Sequence, residues 1–188
     1  MARRDTCTYR IEYLERPGLS LPDVSLARLA RELTVAAADC FDEVPNYQAL
    51  KGTRPALSDK VITVARRPDG TLAGFCSALI LQVPSVGAVL HLGLTCVRPG
   101  DRGAGLTHKL TSKLVVSYLL KHRPFGKQWI TNVACVLSSV GNVAANFDGV
   151  YPSPGYRGGP SHTHRVIAAH VDRHHRDDTK STPARPNL

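Results

Sequence analysis

The sequence of 188 residues predicts a single α+β domain over residues 1–172 and a polar, disordered tail over residues 173–188. Three observations predict this fold class. Residues 60–97 contain three β-rich segments that are separated by turns with proline and glycine. Segments before and after them carry apolar residues at helical spacing. A glycine-rich loop joins the third β-rich segment to the helix that follows it.

The N-terminal part of the chain predicts one strand and one helix. Residues 7–14 alternate loosely between apolar and polar types, as strands do, and a Pro-Gly pair ends the segment. A helix then starts near Asp23 or Ser25, either of which could cap it. Its apolar face consists of Leu26, Leu29, Ala30, Leu33, Ala37, Cys40 and Phe41. Residues 42–54 predict an irregular segment or a short helix.

The middle of the chain predicts an antiparallel meander of three strands, over residues 60–65, 72–83 and 88–97. The first turn, residues 67–70, contains a proline that presets φ and a glycine that accepts a positive φ. The second turn, residues 84–87, again contains proline and glycine. Short turns of this kind join neighbouring antiparallel strands.

The last third of the chain predicts a helix, a strand, a second helix and a final short strand. The first helix carries Leu106, Leu110, Leu114 and Tyr118 at intervals of four. The strand covers residues 128–137, and Ser138 or Ser139 could cap the second helix. The final strand is expected over residues 165–171.

Composition excludes several classes of protein. No apolar run approaches the ~20 residues that span a bilayer, so no membrane partner is expected. The net charge of +9 favours anionic ligands, but aromatic residues do not alternate with the basic ones, so no nucleic-acid partner is expected. The five cysteines are widely spaced and form no Cys-x-x-Cys pair. This pattern favours reduced thiols in a cytoplasmic protein without a bound metal.

The glycine-rich loop before Leu106 is the most informative motif. A helix N-terminus presents unpaired amides and a partial positive charge, and glycines let the backbone approach a diphosphate closely. Arg102 adds a permanent charge and a fork of donors. The loop lacks the Gly-Lys-Ser/Thr ending of a P-loop and the third glycine of a dinucleotide fingerprint. The motif therefore predicts a different kind of pyrophosphate cradle.

The same residues resemble the hallmark of the GNAT acetyltransferase superfamily. There a strand ends in Val-x-Pro, and Arg/Gln-x-x-Gly-x-Gly/Ala then opens a helix. This chain has Val-Arg-Pro at 97–99 and Arg-Gly-Ala-Gly-Leu-Thr at 102–107, so Thr107 replaces the last Gly or Ala.

A second stretch is similar to the family's late signature, which is Asn-x-x-Ala, then Tyr, then Gly-Phe. Asn142 begins it, and Tyr151 lies four residues before a Gly-Tyr pair. Two more residues than usual separate Asn142 from Tyr151. Together with the order of elements, the resemblance covers most of residues 7–171.

The resemblance implies a GNAT fold, with a central, mixed, mostly antiparallel twisted sheet, a V-shaped splay between two parallel strands, and helices on both faces. It implies an acyl-CoA partner, with acetyl-CoA as co-substrate. Backbone amides at residues 95–97 would hold the acyl carbonyl. The implied cofactor-binding residues are Thr95, Cys96, Val97, Arg102, Gly103, Ala104, Gly105, Leu106, Thr107 and Asn142.

The implied reaction is direct attack of an amine on the thioester, which requires an acid and a base. Tyr151 is the expected acid from its spacing to the Gly-Tyr pair, with Tyr156 as the alternative. His91 is the preferred base, because a related arylalkylamine acetyltransferase pattern has a histidine there. Glu43, in the loop after the first helix, is the second candidate. Cys96 could act as a covalent nucleophile, but no base is evidently placed for it.

The sequence thus predicts an N-acetyltransferase with a small-molecule amine as its acceptor. Three alternatives stay open: coenzyme A binding without turnover, transfer of a longer acyl chain, and a hydroxyl acceptor. The family usually closes with two strands, and the sequence predicts only one of them. A hidden strand in the histidine-rich segment, chain beyond residue 188, or a partner chain could supply the other, and a homodimer is one expected state.

Overall fold

The structure, a computed structural model, describes residues 8–133, 147–153 and 157–180, with side chains up to residue 175. The chain divides into two compact units. The first consists of residues 1–81 and 90–131, and the second of residues 82–89 and 132–188. The glycine-rich loop, the helix after it and residues 90–97 of the strand before it belong to the first unit.

Within the described residues the sheet has five strands, and their spatial order equals their order along the chain. They are β1 (Arg10–Glu15), β2 (Lys60–Arg66), β3 (Leu72–Val83), β4 (Gly87–Val97) and β5 (Ile130–Asn132). β1 pairs antiparallel with β2, and β2 with β3. β3 and β4 are neighbours joined by a three-residue turn, so they also run antiparallel. The predicted meander is confirmed, with strand bounds within one residue of those expected.

Five helices are described: α1 (Pro17–Ser20), α2 (Asp23–Ala38), α3 (Arg54–Leu57), α4 (Leu106–His122) and α5 (His162–Lys180). Single 3₁₀ turns lie at Gln48–Leu50 and Pro99–Asp101. The predicted starts of α2 and α4 are confirmed. Asp23 is the first residue of α2 rather than its cap, and its carboxylate pairs with Arg54 at 2.6 Å. In the described ranges, no helix combines the length and the apolar character needed to cross a membrane.

Helix α2 packs on one face of the sheet. Leu29 and Leu33 of this helix are buried in one cluster with Ile62 and Val64 of β2 and Phe75 of β3. The two β2 residues are two apart, so they share a face of the pleated strand. Most of the apolar stripe predicted for α2 therefore forms the core on this side, but Phe41, which was predicted on the same face, lies beyond the helix and is 40% exposed.

Helix α4 packs on the opposite face. Thr63 lies between Ile62 and Val64 on β2, so it points to the other side of the sheet, and its hydroxyl donates to the carbonyl of Leu110 at 3.0 Å. Leu110 and Leu114 are fully buried. The residues predicted as one helical stripe thus face the sheet, and this packing fixes the start of α4 next to the end of β4.

The last element is a helix and not the strand predicted over residues 165–171. Helix α5 begins at His162 and continues to Lys180, so the segment predicted as a tail is helical as far as that residue. Among the residues of α5 whose side chains are described, Ile167 and Val171 are buried. Ala169, which would share their face in a strand, is exposed, as the helical period requires. The helix predicted after Ser138 or Ser139 and the end of the strand expected over 128–137 lie outside the described residues.

Candidate active site

The glycine-rich loop is fixed at both ends and exposed between them. Asp101 before it and Leu106 after it are 5% and 2% exposed, whereas residues 102–105 are all exposed. Gly103 and Gly105 have φ values of 84° and 69°. No heavy atom lies within 4 Å of an added Cβ at either position, so backbone conformation, not space, requires glycine there.

The loop places helix amides at its exposed surface. In α4 the amide of Lys109 donates to the carbonyl of Gly105 at 3.1 Å, and three amides precede it along the chain. These amides, of residues 106–108, lie at the positive end of the helix dipole. The first turn contains no acidic residue. Thr107 is exposed on this turn.

Arg102 is the cation of this loop. It is exposed, and its Nε donates to the carbonyl of Val97 at 3.3 Å. The contact joins the loop to the end of β4 and leaves the rest of the guanidinium at the surface. Glycine conformation, helix amides and Arg102 together form a surface suited to a diphosphate.

Two contacts join β4 to β5 and to the residue before it. The amide of Leu90 donates to the carbonyl of Trp129 at 3.0 Å, and His91 Nδ1 lies 2.7 Å from Thr131 Oγ1. Residue numbers increase together in these two contacts, as in parallel strands. β4 extends to Val97, and β5 is described as far as Asn132, one residue before this described range stops.

The C-terminal end of β4 contains the predicted acyl-binding residues. The Thr95 hydroxyl donates to Cys76 Sγ at 3.1 Å, and Cys96 is buried. Burial, followed by the neighbouring Cys40 thiol, raises the pKa of Cys96 to about 12. Burial also raises the pKa of Cys76. Both groups are therefore protonated thiols near neutral pH.

The predicted base His91 is buried, with 3% of its surface exposed, and its Nδ1 contacts Thr131. The second candidate, Glu43, is exposed in the loop between α2 and α3. That loop touches β4 in two places. Cys40 Sγ donates to the carbonyl of Val97 at 3.3 Å, and the Tyr47 hydroxyl lies against Gly93. The loop that carries Glu43 therefore lies beside residues 93–97 of β4.

Sequence reasoning missed two features of this site. One is Tyr47, for which the isolated glycine inside β4 was the available signal, since such a glycine indicates a close approach to the backbone. The other is the pair of Asp101 with Arg67, which no local motif indicates.

The predicted acid Tyr151 belongs to the second unit. Its side chain is 37% exposed, and its ring lies 5.2 Å from the ring of His164 at 31°. The peptide bond from Tyr151 to Pro152 is cis. The alternative acid Tyr156 and the predicted coenzyme ligand Asn142 lie outside the described residues. The described ranges contain no group of three or more metal-binding side chains.

Comparisons with known proteins give a consistent architecture. No protein-family model matches the sequence, and no curated protein matches it. Solved structures do match. A ribosomal-protein-alanine N-acetyltransferase from Brucella melitensis biovar Abortus 2308 has 18% identity and a TM-score of 0.50, covering 81% of this chain and all of its own. An aminoglycoside acetyltransferase from an uncultured soil metagenomic sample has 13% identity and a TM-score of 0.56, covering 82% and 99%.

A third match is the aminoglycoside N-acetyltransferase AAC(6')-Iy in complex with a bisubstrate analogue of coenzyme A and acetylneamine. It has 15% identity and a TM-score of 0.52, and the match covers 81% of this chain and 99% of that one. These likenesses agree with the five-stranded sheet, with its helices on both faces and with the strand–loop–helix unit. The chain has the fold of the GNAT acetyltransferase superfamily.

Proposed function

We propose that the protein is an N-acetyltransferase that takes an acetyl group from acetyl-CoA and passes it to a small-molecule amine by direct attack. The observation that carries the proposal is the glycine-rich loop: residues 102–105 are exposed between two buried anchors at the start of α4. The structural neighbours reported above are acetyltransferases, and one was solved in complex with a coenzyme A bisubstrate analogue, which supports a coenzyme A thioester as co-substrate.

Different residues of this chain would bind the co-substrate and orient its acyl group. The amides at the start of α4 and Arg102 would bind the pyrophosphate of the co-substrate. The backbone of Thr95, Cys96 and Val97 would orient the acyl carbonyl and stabilise the negative charge that develops on its oxygen. Hydrogen bonds hold both ends of this segment: the Thr95 hydroxyl donates to Cys76, and the Val97 carbonyl accepts from both Cys40 and Arg102.

Two proton transfers complete the reaction. We propose His91 as the group that takes the proton of the incoming ammonium, with Glu43 as the alternative in the loop beside β4. We propose Tyr151 as the acid that protonates the leaving thiolate, on its position in the late signature. The raised pKa of Cys96 supports direct transfer rather than a covalent enzyme intermediate, since a protonated thiol is a poor nucleophile.

The test is the melting temperature with and without millimolar acetyl-CoA, in the wild type and in Thr107→Glu. The variant places a carboxylate on the proposed phosphate surface, while a glutamate in the first turn of a helix suits the dipole and preserves folding. The matched control is Val116→Glu, which adds the same charge at an exposed position in the middle of α4. A ligand at ~100 times its Kd stabilises by about 2.7 kcal/mol, or roughly 5–10 °C here.

We expect the wild type and Val116→Glu to shift and Thr107→Glu not to shift. A panel of small amines, assayed by release of the free coenzyme A thiol, then tests turnover. Stabilisation without turnover of any amine would favour the binding protein without catalysis. A shift with longer acyl-CoA species alone would overturn the choice of donor, and no shift with any of them would overturn the proposal.

A further inference from the structure

The carboxylate of Asp101 is buried although its neighbours on both sides are exposed. The residue ends the 3₁₀ turn between β4 and the glycine-rich loop and is 5% exposed, while Gly100 and Arg102 are at the surface. Removing a carboxylate from water is costly unless it is paired and hydrogen-bonded. A strong set of partners is therefore needed to hold this side chain in the interior.

Arg67 and Tyr9 supply those partners. Arg67 Nε lies 3.0 Å from Asp101 Oδ1, and Arg67 Nη2 lies 2.5 Å from Oδ2, which is a two-bond fork on one carboxylate. The Tyr9 hydroxyl donates to Oδ1 at 3.0 Å. The hydrogen bond with Asp101 is the main cause of a raised pKa at Arg67, which is consistent with a firmly held pair.

Arg67 is itself fixed by the turn between β2 and β3. Its amide donates to the carbonyl of Thr71 at 2.9 Å, and its Nη1 donates to the Thr71 hydroxyl at 3.0 Å. Its carbonyl accepts from the amide of Gly70 at 2.9 Å. The turn between β2 and β3 thus fixes the guanidinium of Arg67, and the guanidinium in turn fixes the carboxylate of Asp101.

We propose that Asp101 is a positioning residue: anchored by Arg67 and Tyr9, it holds the glycine-rich loop and the start of α4 in the conformation that binds the diphosphate. The loop needs such support because two of its four exposed residues are glycines with left-handed φ values, and glycine loses more conformational freedom on ordering than any other residue. Ordering the loop before the ligand arrives lowers the entropic cost of binding. The link to coenzyme A rests on the proposed function.

A purely stabilising ion pair is the competing explanation, and the chain offers a matched control for it. Arg66, the neighbour of Arg67, pairs with Glu32 of α2 at 2.6 Å, with side chains 14% and 21% exposed. This pair joins β2 to α2, and its described contacts include no residue of the glycine-rich loop. Glu32→Gln therefore removes a comparable pair but keeps Arg66, which also donates to the carbonyl of Gly70 at 3.1 Å.

The experiment compares Asp101→Asn, Arg67→Lys, Tyr9→Phe and Glu32→Gln in the full chain. The first readout is amide hydrogen exchange of residues 98–107 without ligand, which does not depend on the proposed function. We expect roughly tenfold faster exchange in Asp101→Asn, a smaller increase in Arg67→Lys and Tyr9→Phe, and no change in Glu32→Gln. Tyr9→Phe keeps the ion pair, so it decides the question even if Asp101→Asn fails to fold.

The second readout is the Kd for coenzyme A together with KM and kcat. We expect Asp101→Asn to raise Kd and KM about tenfold while kcat at saturation changes little, with Arg67→Lys in between. Unchanged exchange of the loop in Asp101→Asn and Tyr9→Phe, or equal effects in Glu32→Gln, would overturn the positioning role. If the wild type binds no coenzyme A species, the proposed function fails, and the exchange data still decide whether Asp101 orders the loop.

Discussion

The hydroxyl of Tyr47 occupies the space that a side chain at Gly93 would need. An ideal Cβ on Gly93 would lie 1.8 Å from Tyr47 Oη and 2.8 Å from its Cζ. Tyr47 is half-buried against the core cluster beneath α2, so its ring has limited room to move. The loop between α2 and α3 can therefore lie on β4 only because residue 93 is a glycine.

Gly93→Ala should consequently destabilise the fold. Overpacking of this kind costs about 1–3 kcal/mol, and here it would push Tyr47 away from β4. Urea denaturation gives the free energy of unfolding. The double variant Gly93→Ala/Tyr47→Ala should lose less stability than the sum of the two single variants, because the alanine then meets no hydroxyl.

Gly126→Ala is the control for the loss of a glycine, because its added Cβ would meet only the Arg123 side chain at 3.8 Å. It should change stability little. Additive losses in the double variant would show that Tyr47 and Gly93 do not constrain each other.

The contact between His91 and Thr131 should contribute to the free energy of unfolding by holding β5 against β4. His91 is 3% exposed, and its Nδ1 lies 2.7 Å from Thr131 Oγ1. Thr131→Val removes the hydroxyl but keeps the shape. We expect a loss of about 1–3 kcal/mol, measured by urea denaturation, and recovery of most of it in Thr131→Ser. Equal stability of the valine and serine variants would contradict this role of the hydroxyl.

The same contact separates a chemical role of His91 from a structural one. If His91 is the base, His91→Ala should lower kcat by 10²-fold or more with little change in KM. Thr131→Val keeps the imidazole and should lower kcat far less. Equal losses of kcat in the two variants would show that His91 acts only through the pairing of the strands, and Glu43→Gln would then be the variant to measure.

The elements with local signals were predictable from the sequence. The turn at residues 67–70 carries proline and glycine, and Gly70 has the expected positive φ of 86°. Helix α4 begins at Leu106, directly after the left-handed Gly105. These features depend on neighbouring residues, so the sequence contains the full signal. Helix α5 was mistaken for a strand because its apolar residues are few, although Ile167 and Val171 have helical spacing.

The contacts that hold the site in place were not predictable, because they join residues that are distant in the chain. Asp101 and Arg67 are 34 residues apart. The loop motif predicted the surface that would face a diphosphate, but not the turn that holds it. A charged residue in a loop is usually solvated, and only the tertiary structure shows that Asp101 is buried.

The hydrogen-bond partners of Glu15 predict how the free energy of unfolding depends on pH. Its side chain is 11% exposed, and its oxygens lie 3.0 Å from Lys121 Nζ, 3.0 Å from Tyr13 Oη and 2.8 Å from His122 Nε2. Burial raises the pKa of Glu15, but the hydrogen bonds from Lys121, Tyr13 and His122 together outweigh it and lower that pKa. The folded-state pKa is thus below the unfolded value, which is about 4.3.

The stabilisation by ionised Glu15 should therefore be fully present above pH ~4.3 and be lost as pH falls through the folded-state pKa. At pH 7, Glu15→Gln should lower the free energy of unfolding by about 1–3 kcal/mol, since charged hydrogen bonds are lost. Melting curves from pH 7 to pH 3 should show this difference shrinking at the acid end. Asp42→Asn, at an exposed position, is the control, and a difference that stays constant with pH would contradict the assignment.

Cys96 should remain unmodified by the acyl donor. Its thiol is 2% exposed with a pKa raised to about 12, chiefly by burial and then by the Cys40 thiol, so little thiolate exists at pH 7.5. Incubation with acetyl-CoA in the absence of an amine, followed by peptide mass spectrometry, should show no acetyl group on Cys96. Iodoacetamide at the same pH should label the half-buried Cys40 before Cys96, and the rate at Cys96 should rise steeply with pH. An acetyl-Cys96 that accumulates without amine and disappears when amine is added would replace direct attack with a two-step transfer through the thiol.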